Sequence, residues 1–456
     1  MSLDQPYWQE RLNALVDKHG IVGASLAVAH GDHEITAATG VLNARTGQPA
    51  TTESVFQIGS ITKVWTATLV MQLVDDGLLD LDAPLITYLP DFRVADDALT
   101  QQVTTRHLLA HTSGIAGDFF PETGRGDDCL ERFVTLMAEL RKSHPLGATM
   151  SYCNAGYVLL GRLVEVLRAA TWDQVMRERL FQPLGLEAAG TLPEEALLWG
   201  AATGHITPPG APEPIVSPQW GLSSNAGPAG LIHARARDLL AFARMHLAEG
   251  LAPDGTRVLS AESARAMRVP QVEVPDRWTF GGHWGLGWIL PQWDGRVLFA
   301  HDGSTIGQSA YLRVLPGEPD LVVALLTNGG ETRELYQDLF GEVFEQLAGV
   351  TITPRVEPVS QPPAFDPAQY VGRYERESMA HEVELRGEEL VMVNLLSGIL
   401  ATAMGADRVE SPLLPYDTDV FLTSMPSVSG YLPAVFYTAP DGNRYLHLAG
   451  RAAAKV

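Results

Sequence analysis

The sequence predicts an α+β protein, a mixed sheet assembled from both ends of one long segment and flanked by helices, followed by a small antiparallel β domain. Three observations carry that prediction. Strand patterns stand at residues 22–40 and return at 285–327, with helical and loop-rich sequence between them. A proline-rich stretch from Thr353-Pro354 to Pro362-Pro363, with four prolines, then breaks the chain and reads as an extended linker. Beyond it, short alternating apolar and polar segments replace the helical periodicity.

Taken in order, Gln9 to Val16 shows the spacing of an amphipathic helix. Val22–Ala29 and Glu34–Gly40 read as strands joined at Gly31-Asp32. An apolar run from Ile58 through Leu73 reads as a buried helix ending near Asp76-Gly77. Helix patterns recur at Leu130–Leu140, Tyr157–Ala169 and Ala234–Leu247. Strands are expected at Gly285–Leu290, Arg296–His301, Ser309–Leu315 and Leu321–Thr327, the last two linked by Pro316-Gly317-Glu318-Pro319-Asp320. A helix over Glu334–Leu347 would pack back on that sheet. Past the linker, His381–Leu385, Glu389–Val393, Ala434–Tyr437 and Tyr445–Leu448 alternate like strands, with a turn at Asp441-Gly442. The implied division is a domain over 1–352, a linker over 353–365 and a β domain over 366–456.

Composition narrows the partners. The 456 residues carry 54 Asp+Glu against 32 Lys+Arg, a net charge of −22, which argues against nucleic acid and anionic membrane. Hydrophobic content of 46% and charged content of 19% fit a soluble globular chain with a sizeable core. Two cysteines, Cys129 and Cys153, exclude a disulfide framework, leave one bridge open and make free thiols the default. Met1-Ser2-Leu3-Asp4-Gln5 has neither a basic nor an apolar leader region, and no stretch approaches the ~18 apolar residues needed to span a bilayer. Read as the whole natural chain, it is expected in the cytoplasm.

The chemistry concentrates at Ser60 and Lys63. Lys63 is one of four lysines, and it lies one helical turn after Ser60 inside the buried helix. Burying a lone ammonium is costly, and the usual escape is loss of the proton or dedicated partners. A neutral lysine one turn from a serine is what a serine nucleophile needs to lose its proton. A snorkelling lysine, its stem covering the helix surface, is the alternative. Gly59 suits a close turn into a helix whose N-terminus aims free N–H groups at the serine.

Two further motifs follow in order: Ser151-Tyr152-Cys153-Asn154 before a helix, and Ala300-His301-Asp302-Gly303-Ser304 closing a strand. With Ser60-x-x-Lys63 they resemble the three motifs of the serine β-lactamase and penicillin-binding-protein superfamily. The likeness is to the branch of class C β-lactamases, D-peptidases, esterases and acyltransferases. His107-Leu108-Leu109-Ala110-His111-Thr112-Ser113-Gly114 and Ala229-Gly230-Leu231 resemble stretches common there. The resemblance implies a β-lactamase/transpeptidase-like fold with Ser60 as nucleophile and Lys63 as its proton acceptor. It makes Tyr152 a proton shuttle whose acidity Lys63 would raise, and Asn154 a partner of Lys63 and of the substrate amide. His301 fills the third-motif position, the N–H groups of Ser60 and Ser304 form the oxyanion hole, and Gly303 and Ser304 line the substrate. Trp220, in a loop, is a candidate pocket wall.

The third motif departs from the lysine-Thr-Gly of many β-lactamases. His301 is mostly neutral at pH 7 and Asp302 adds negative charge, which disfavours a carboxylate-bearing penicillin. Histidine there resembles the esterase, transacylase and peptide-cyclising thioesterase members. A β-lactamase-like domain followed by a lipocalin-like barrel resembles D-amino-acid peptidases and stand-alone peptide-releasing thioesterases. The leading expectation is a serine hydrolase or acyltransferase on esters, thioesters or amides, with a small-molecule or peptidyl donor that a carrier protein could present. D-stereospecific peptidase and β-lactamase follow, and a non-catalytic β-lactam or peptide sensor is the rival from another class. No cofactor is implied. His107 and His111 lie four apart, but no acidic motif completes a zinc site, so no metal is expected.

Overall fold

The computed structural model describes residues 3–208, 214–377, 379–397, 406–425 and 428–456. Helix α1 spans Gln5–Lys18, four residues earlier than its apolar spacing implies, because the Asp4 carboxylate caps it by accepting the Tyr7 N–H at 2.8 Å. Strands β1 (Gly23–His30) and β2 (His33–Asn43) form a hairpin through Gly31-Asp32. Strands β3 (Phe299–Thr305), β4 (Gln308–Leu315) and β5 (Leu321–Thr327) form a meander. The two sets join where Ala24 opposes Thr327 and His30 opposes Leu321, giving the order β2-β1-β5-β4-β3. Short strands extend both edges to a nine-stranded sheet in which every assigned pairing is antiparallel.

Both faces of the sheet are covered, so its central strands are apolar on both sides. In β5, Leu321, Val323 and Leu325 face α1 and α5 (Thr332–Ala348), packing with Trp8, Leu12, Leu339 and Phe344. Val322, Ala324 and Leu326 face the helical region, where α2 (Thr62–Asp75), α3 (Asn154–Arg168) and α4 (Ala236–Leu247) build the larger core. Strict alternation on a strand buried on both faces is what a period of two requires.

The expected strand Arg296–His301 divides. Arg296–Val297 pairs with Gln292–Trp293 in a separate ribbon, and β3 runs on to Thr305. His301 through Ser304 therefore lie within a strand rather than closing one. The expected strand Gly285–Leu290 is broken at Gly287, whose φ of +93° no extended strand tolerates, and only Ile289–Leu290 and His283–Trp284 pair.

The C-terminal region is a closed eight-stranded antiparallel barrel: β6 (Gly372–Arg376), β7 (Met379–Arg386), β8 (Glu389–Leu396), β9 (Arg408–Asp417), β10 (Val420–Met425), β11 (Val428–Thr438), β12 (Arg444–Leu448) and β13 (Arg451–Lys455). Each strand pairs with the next, and Tyr374 opposite Lys455 closes the ring. Tyr374, Phe421, Phe436 and Leu446 fill its core. The β12–β13 turn, Ala449-Gly450, lies against the first domain. Gly450 O accepts the Tyr152 N–H at 2.8 Å, and Ala452 N–H donates to Ser151 Oγ at 3.1 Å.

Candidate active site

Ser60 sits on one turn of 3-10 helix, Gly59–Ile61, that runs directly into α2. Gly59 has φ +51°, and a Cβ there would stand 2.5 Å from the Ser304 nitrogen. A Cβ on Gly303 would stand 1.8 Å from the Ile58 carbonyl oxygen and 2.9 Å from the Ser60 nitrogen. The two glycines thus let the end of β3 press against the Ser60 turn, with the Ser60 and Ser304 backbones in close approach. Gly303, expected to line the substrate, acts through this close approach of two backbones.

Lys63 is fully buried. Its ammonium nitrogen lies 3.1 Å from Ser60 Oγ and donates to the Ala229 carbonyl at 2.7 Å. Burial, followed by repulsion from Arg451, pushes the Lys63 pKa well below the lysine range. The snorkelling alternative is excluded, because the side chain has no route to water. Asn154, expected to bond Lys63, makes no hydrogen bond to it among the described residues. The Ala229 carbonyl takes that place, on a segment also tied to α2 through Thr66 Oγ1 to the Pro228 carbonyl at 2.8 Å. Asn154 is the first residue of α3, half-buried, with its amide left for another partner.

The Tyr152 ring is buried, and its centroid lies 4.9 Å from Lys63 Nζ. Its acidity runs opposite to expectation. Burial raises the phenol pKa above its ordinary value, outweighing the Ser60 hydroxyl and the Arg451 charge, which act downward. Burial thus disfavours the charged form of both groups, the ammonium and the phenolate. His111 fixes the tyrosine from behind: its Nδ1 accepts the Cys153 N–H at 3.0 Å, its carbonyl accepts the Ser151 N–H at 2.9 Å, and its ring lies 4.4 Å from the Tyr152 ring. His107 is engaged with Thr104 in a helix cap, so the two histidines serve local structure. Cys153 caps α3 through Sγ, and burial raises its thiol pKa to about 11; both cysteines are free.

His301 is buried, with Nδ1–H donating to the Asp302 carbonyl at 2.6 Å. Burial and then the neighbouring Lys63 lower its pKa to about 3, so it is neutral and Nε2 presents a lone pair with no partner among the described residues. The negative charge expected from Asp302 is cancelled by Arg313, which pairs with both carboxylate oxygens and is itself buried. Trp220 is turned to packing: its indole N–H donates to the Ala202 carbonyl at 2.8 Å, and its ring joins a small cluster with Val55 and Ala188.

This arrangement is a half-buried serine, a buried lysine whose amine contacts it, a buried phenol beside that lysine and the backbones of Ser60 and Ser304 held close by two glycines. The Beta-lactamase family profile matches residues 8–348, which covers all of these groups. The chain belongs to the beta-lactamase family. Penicillin-binding protein 4 of Amycolatopsis lactamdurans is 50% identical to this family member over 385 residues, covering 83% of this chain and all of the relative. Unguisins hydrolase ungD' of Aspergillus campestris is 25% identical over 96% of this chain and 88% of its own length. Among solved structures, SurE superposes with a TM-score of 0.80 at 28% identity over 99% of both chains, and a second SurE structure holds D-Leu. The SurE match extends through the barrel, so this beta-lactamase-family chain shares both parts of its architecture.

Sequence reading singled out the serine, lysine, tyrosine, asparagine and histidine positions from three ordered motifs and the family they resemble. It missed the Ala229 carbonyl as the second partner of Lys63, although Ala229-Gly230-Leu231 stood out. It also missed Arg451 and Asp118, which lie against Tyr152 (Arg451 Cζ is 5.0 Å from the ring) and belong to no motif.

Proposed function

We propose that this protein transfers acyl groups through a Ser60 acyl-enzyme, with a peptidyl ester or thioester ending in a D-residue as donor. A carrier protein is a natural bearer of such a thioester. The observation that carries the reading is Lys63, fully buried and in contact with Ser60 Oγ, with its pKa pushed well below the lysine range.

In this reading Lys63 takes the Ser60 proton as Oγ attacks the carbonyl carbon. The N–H groups of Ser60 and Ser304 hold the oxyanion. Tyr152 then gives its proton to the leaving group as the tetrahedral intermediate collapses, and the Lys63 ammonium returns a proton to the tyrosine. An incoming water or amine reverses the sequence and loses its own proton to the pair. The neutral His301 offers an acceptor, suited to an amide N–H of the donor, and no cation for a carboxylate. The SurE complex with D-Leu supports a D-residue at the donor end. A second reading, stable acylation by a β-lactam, is favoured by the name of the 50% identical relative.

Intact-protein mass spectrometry separates the two readings. Wild type and Ser60→Ala would be mixed with a peptidyl thioester ending in a D- or L-residue, a p-nitrophenyl ester and penicillin G. The expected result is a transient adduct from the D-thioester that the Ser60→Ala protein does not form. A persistent penicillin adduct with no thioester turnover would favour the second reading, and an adduct retained by Ser60→Ala would remove Ser60 from its role.

A further inference from the structure

Asp118 of the first domain is buried at the rim of the barrel and faces two guanidiniums. Arg376 Nη1 donates to it at 2.5 Å, and Arg451 donates through Nη2 at 3.0 Å and Nε at 3.3 Å. Arg451 spends Nη1 on the Ala449 carbonyl at 2.9 Å. Burial alone would raise the Asp118 pKa, but the two arginines outweigh it and hold it down to about 2. Glu375 and Glu377, which flank Arg376 in sequence, are exposed. Two partly buried cations, with 11% and 24% of their side chains exposed, against one buried anion leave a positive charge uncancelled at the edge of the site.

That charge has a neighbour that could use it. Arg451 Cζ lies 5.0 Å from the Tyr152 ring centroid. Around the resting tyrosine, burial keeps His111 and His301 neutral and disfavours the charged form of Lys63, and Asp302 is paired with Arg313; once Lys63 has taken the Ser60 proton it adds a second positive charge beside the phenolate. The anion that would balance the cluster is the phenolate that Tyr152 becomes after giving up its proton.

We propose that the barrel is a working part of the catalytic centre: Arg451, locked on Asp118 and backed by Arg376, is a positioning residue whose charge stabilises the Tyr152 phenolate formed when the tyrosine protonates the leaving group. The inference rests on the Ser60 acyl-enzyme reading above. In the step concerned, the bond from the tetrahedral carbon to the leaving atom breaks and its electron pair stays on that atom. The Tyr152 O–H bond breaks as the leaving atom gains the proton, and the Lys63 ammonium then returns the proton taken from Ser60. Charge on Arg451 helps only while the tyrosine oxygen is negative. Its worth therefore depends on how much the leaving group needs a proton.

The test uses full-length wild type, Arg451→Ala, Arg451→Lys and Arg376→Ala with two esters of one acyl group. A p-nitrophenyl ester expels its leaving group unprotonated, whereas an ethyl ester needs the proton. Acylation rates are read from adduct formation by intact mass. Arg451→Ala is expected to slow the ethyl ester roughly ten- to a hundredfold while slowing the p-nitrophenyl ester less than about threefold. Arg451→Lys recovers most of the ethyl-ester rate, and Arg376→Ala shows the same selectivity to a smaller degree. Equal slowing of both esters, as misplacement of Tyr152 alone would give, overturns the proposal, and so does no slowing of either. If wild type itself forms no Ser60-dependent adduct with the p-nitrophenyl ester, the acyl-enzyme reading falls and takes this inference with it. Labelled wild type with an evenly slowed Arg451→Ala removes this inference alone.

Discussion

At the scale of single residues, the site depends on what burial does to two ionisable groups. Burial pushes the Lys63 pKa down and the Tyr152 pKa up, disfavouring the charged form of each. A protonated Lys63 has no lone pair for the Ser60 proton, so acylation of an uncharged ester is expected to fall as pH drops through the depressed lysine pKa. With the phenol pKa raised, the alkaline limb lies above pH ~10, the unperturbed tyrosine value. A pH profile of acylation checks both limbs, and Tyr152→Phe is expected to cost about 10²- to 10⁴-fold on donors whose leaving group needs a proton. Gly303→Ala tests the backbone approach instead. Its Cβ would stand 1.8 Å from the Ile58 carbonyl oxygen, and the strand must retreat from the Ser60 turn. Loss of one oxyanion donor is worth about 10²- to 10³-fold, so acylation should fall by at least that much while the far-ultraviolet circular dichroism is retained.

At the scale of elements, Ser60 stands on the turn that leads into α2, a helix buried along most of its length. Trp65 stacks on Phe242 of α4 at 3.9 Å and meets Phe181 edge-on. Trp65→Ala is expected to cost about 3–5 kcal/mol of unfolding free energy, measurable as a lower denaturant midpoint. A second element holds the barrel side. Asp276 is fully buried and caps the short helix Arg277–Phe280, accepting N–H groups of Trp278 and Thr279. Burial raises its pKa to about 6, above the ordinary 3.8. The folded state therefore prefers the protonated form. Stability from this group is full below pH ~4 and declines as pH rises to ~6, where the carboxylate must ionise in place. Asp276→Asn keeps the cap and removes the ionisation, so the melting temperature above pH 6 should rise relative to wild type and lose this pH dependence.

At the scale of the whole molecule, the barrel and the first domain are joined through Tyr152, Ser151, Thr149 and Asp118, all bonded to the barrel. Asp118 supplies the pH lever. Its folded pKa of about 2 lies below the unfolded carboxylate value, so its contribution is present above pH ~4 and is lost as pH falls toward 2. Asp118→Asn leaves two arginines facing a neutral group and should cost about 3–5 kcal/mol, with earlier exposure of 372–376 and 451–455 in hydrogen exchange. No helix among the described residues is long and apolar enough to cross a membrane.

The sequence by itself determined what local pattern can carry. Short β-rich runs bounded by turn residues marked β1, β2, β4 and β5, the proline stretch marked the boundary, and three ordered motifs marked Ser60, Lys63, Tyr152, Asn154 and His301. It could not mark half of the barrel. Strand β13 reads Arg451-Ala-Ala-Ala-Lys455, a helix-prone string, and β9 contains Pro412 and Pro415; closure of the ring overrides both preferences. Nor could it give the protonation of Lys63 and Tyr152, which is set by how completely neighbours distant in sequence exclude water. Tertiary structure alone placed the Ala229 carbonyl on Lys63 and brought Arg451 to within 5.0 Å of the Tyr152 ring, from a turn almost 300 residues further along (451 − 152 = 299). Periodicity and motif order are properties of neighbours along the chain, whereas charge balance in a buried site is a property of neighbours in space.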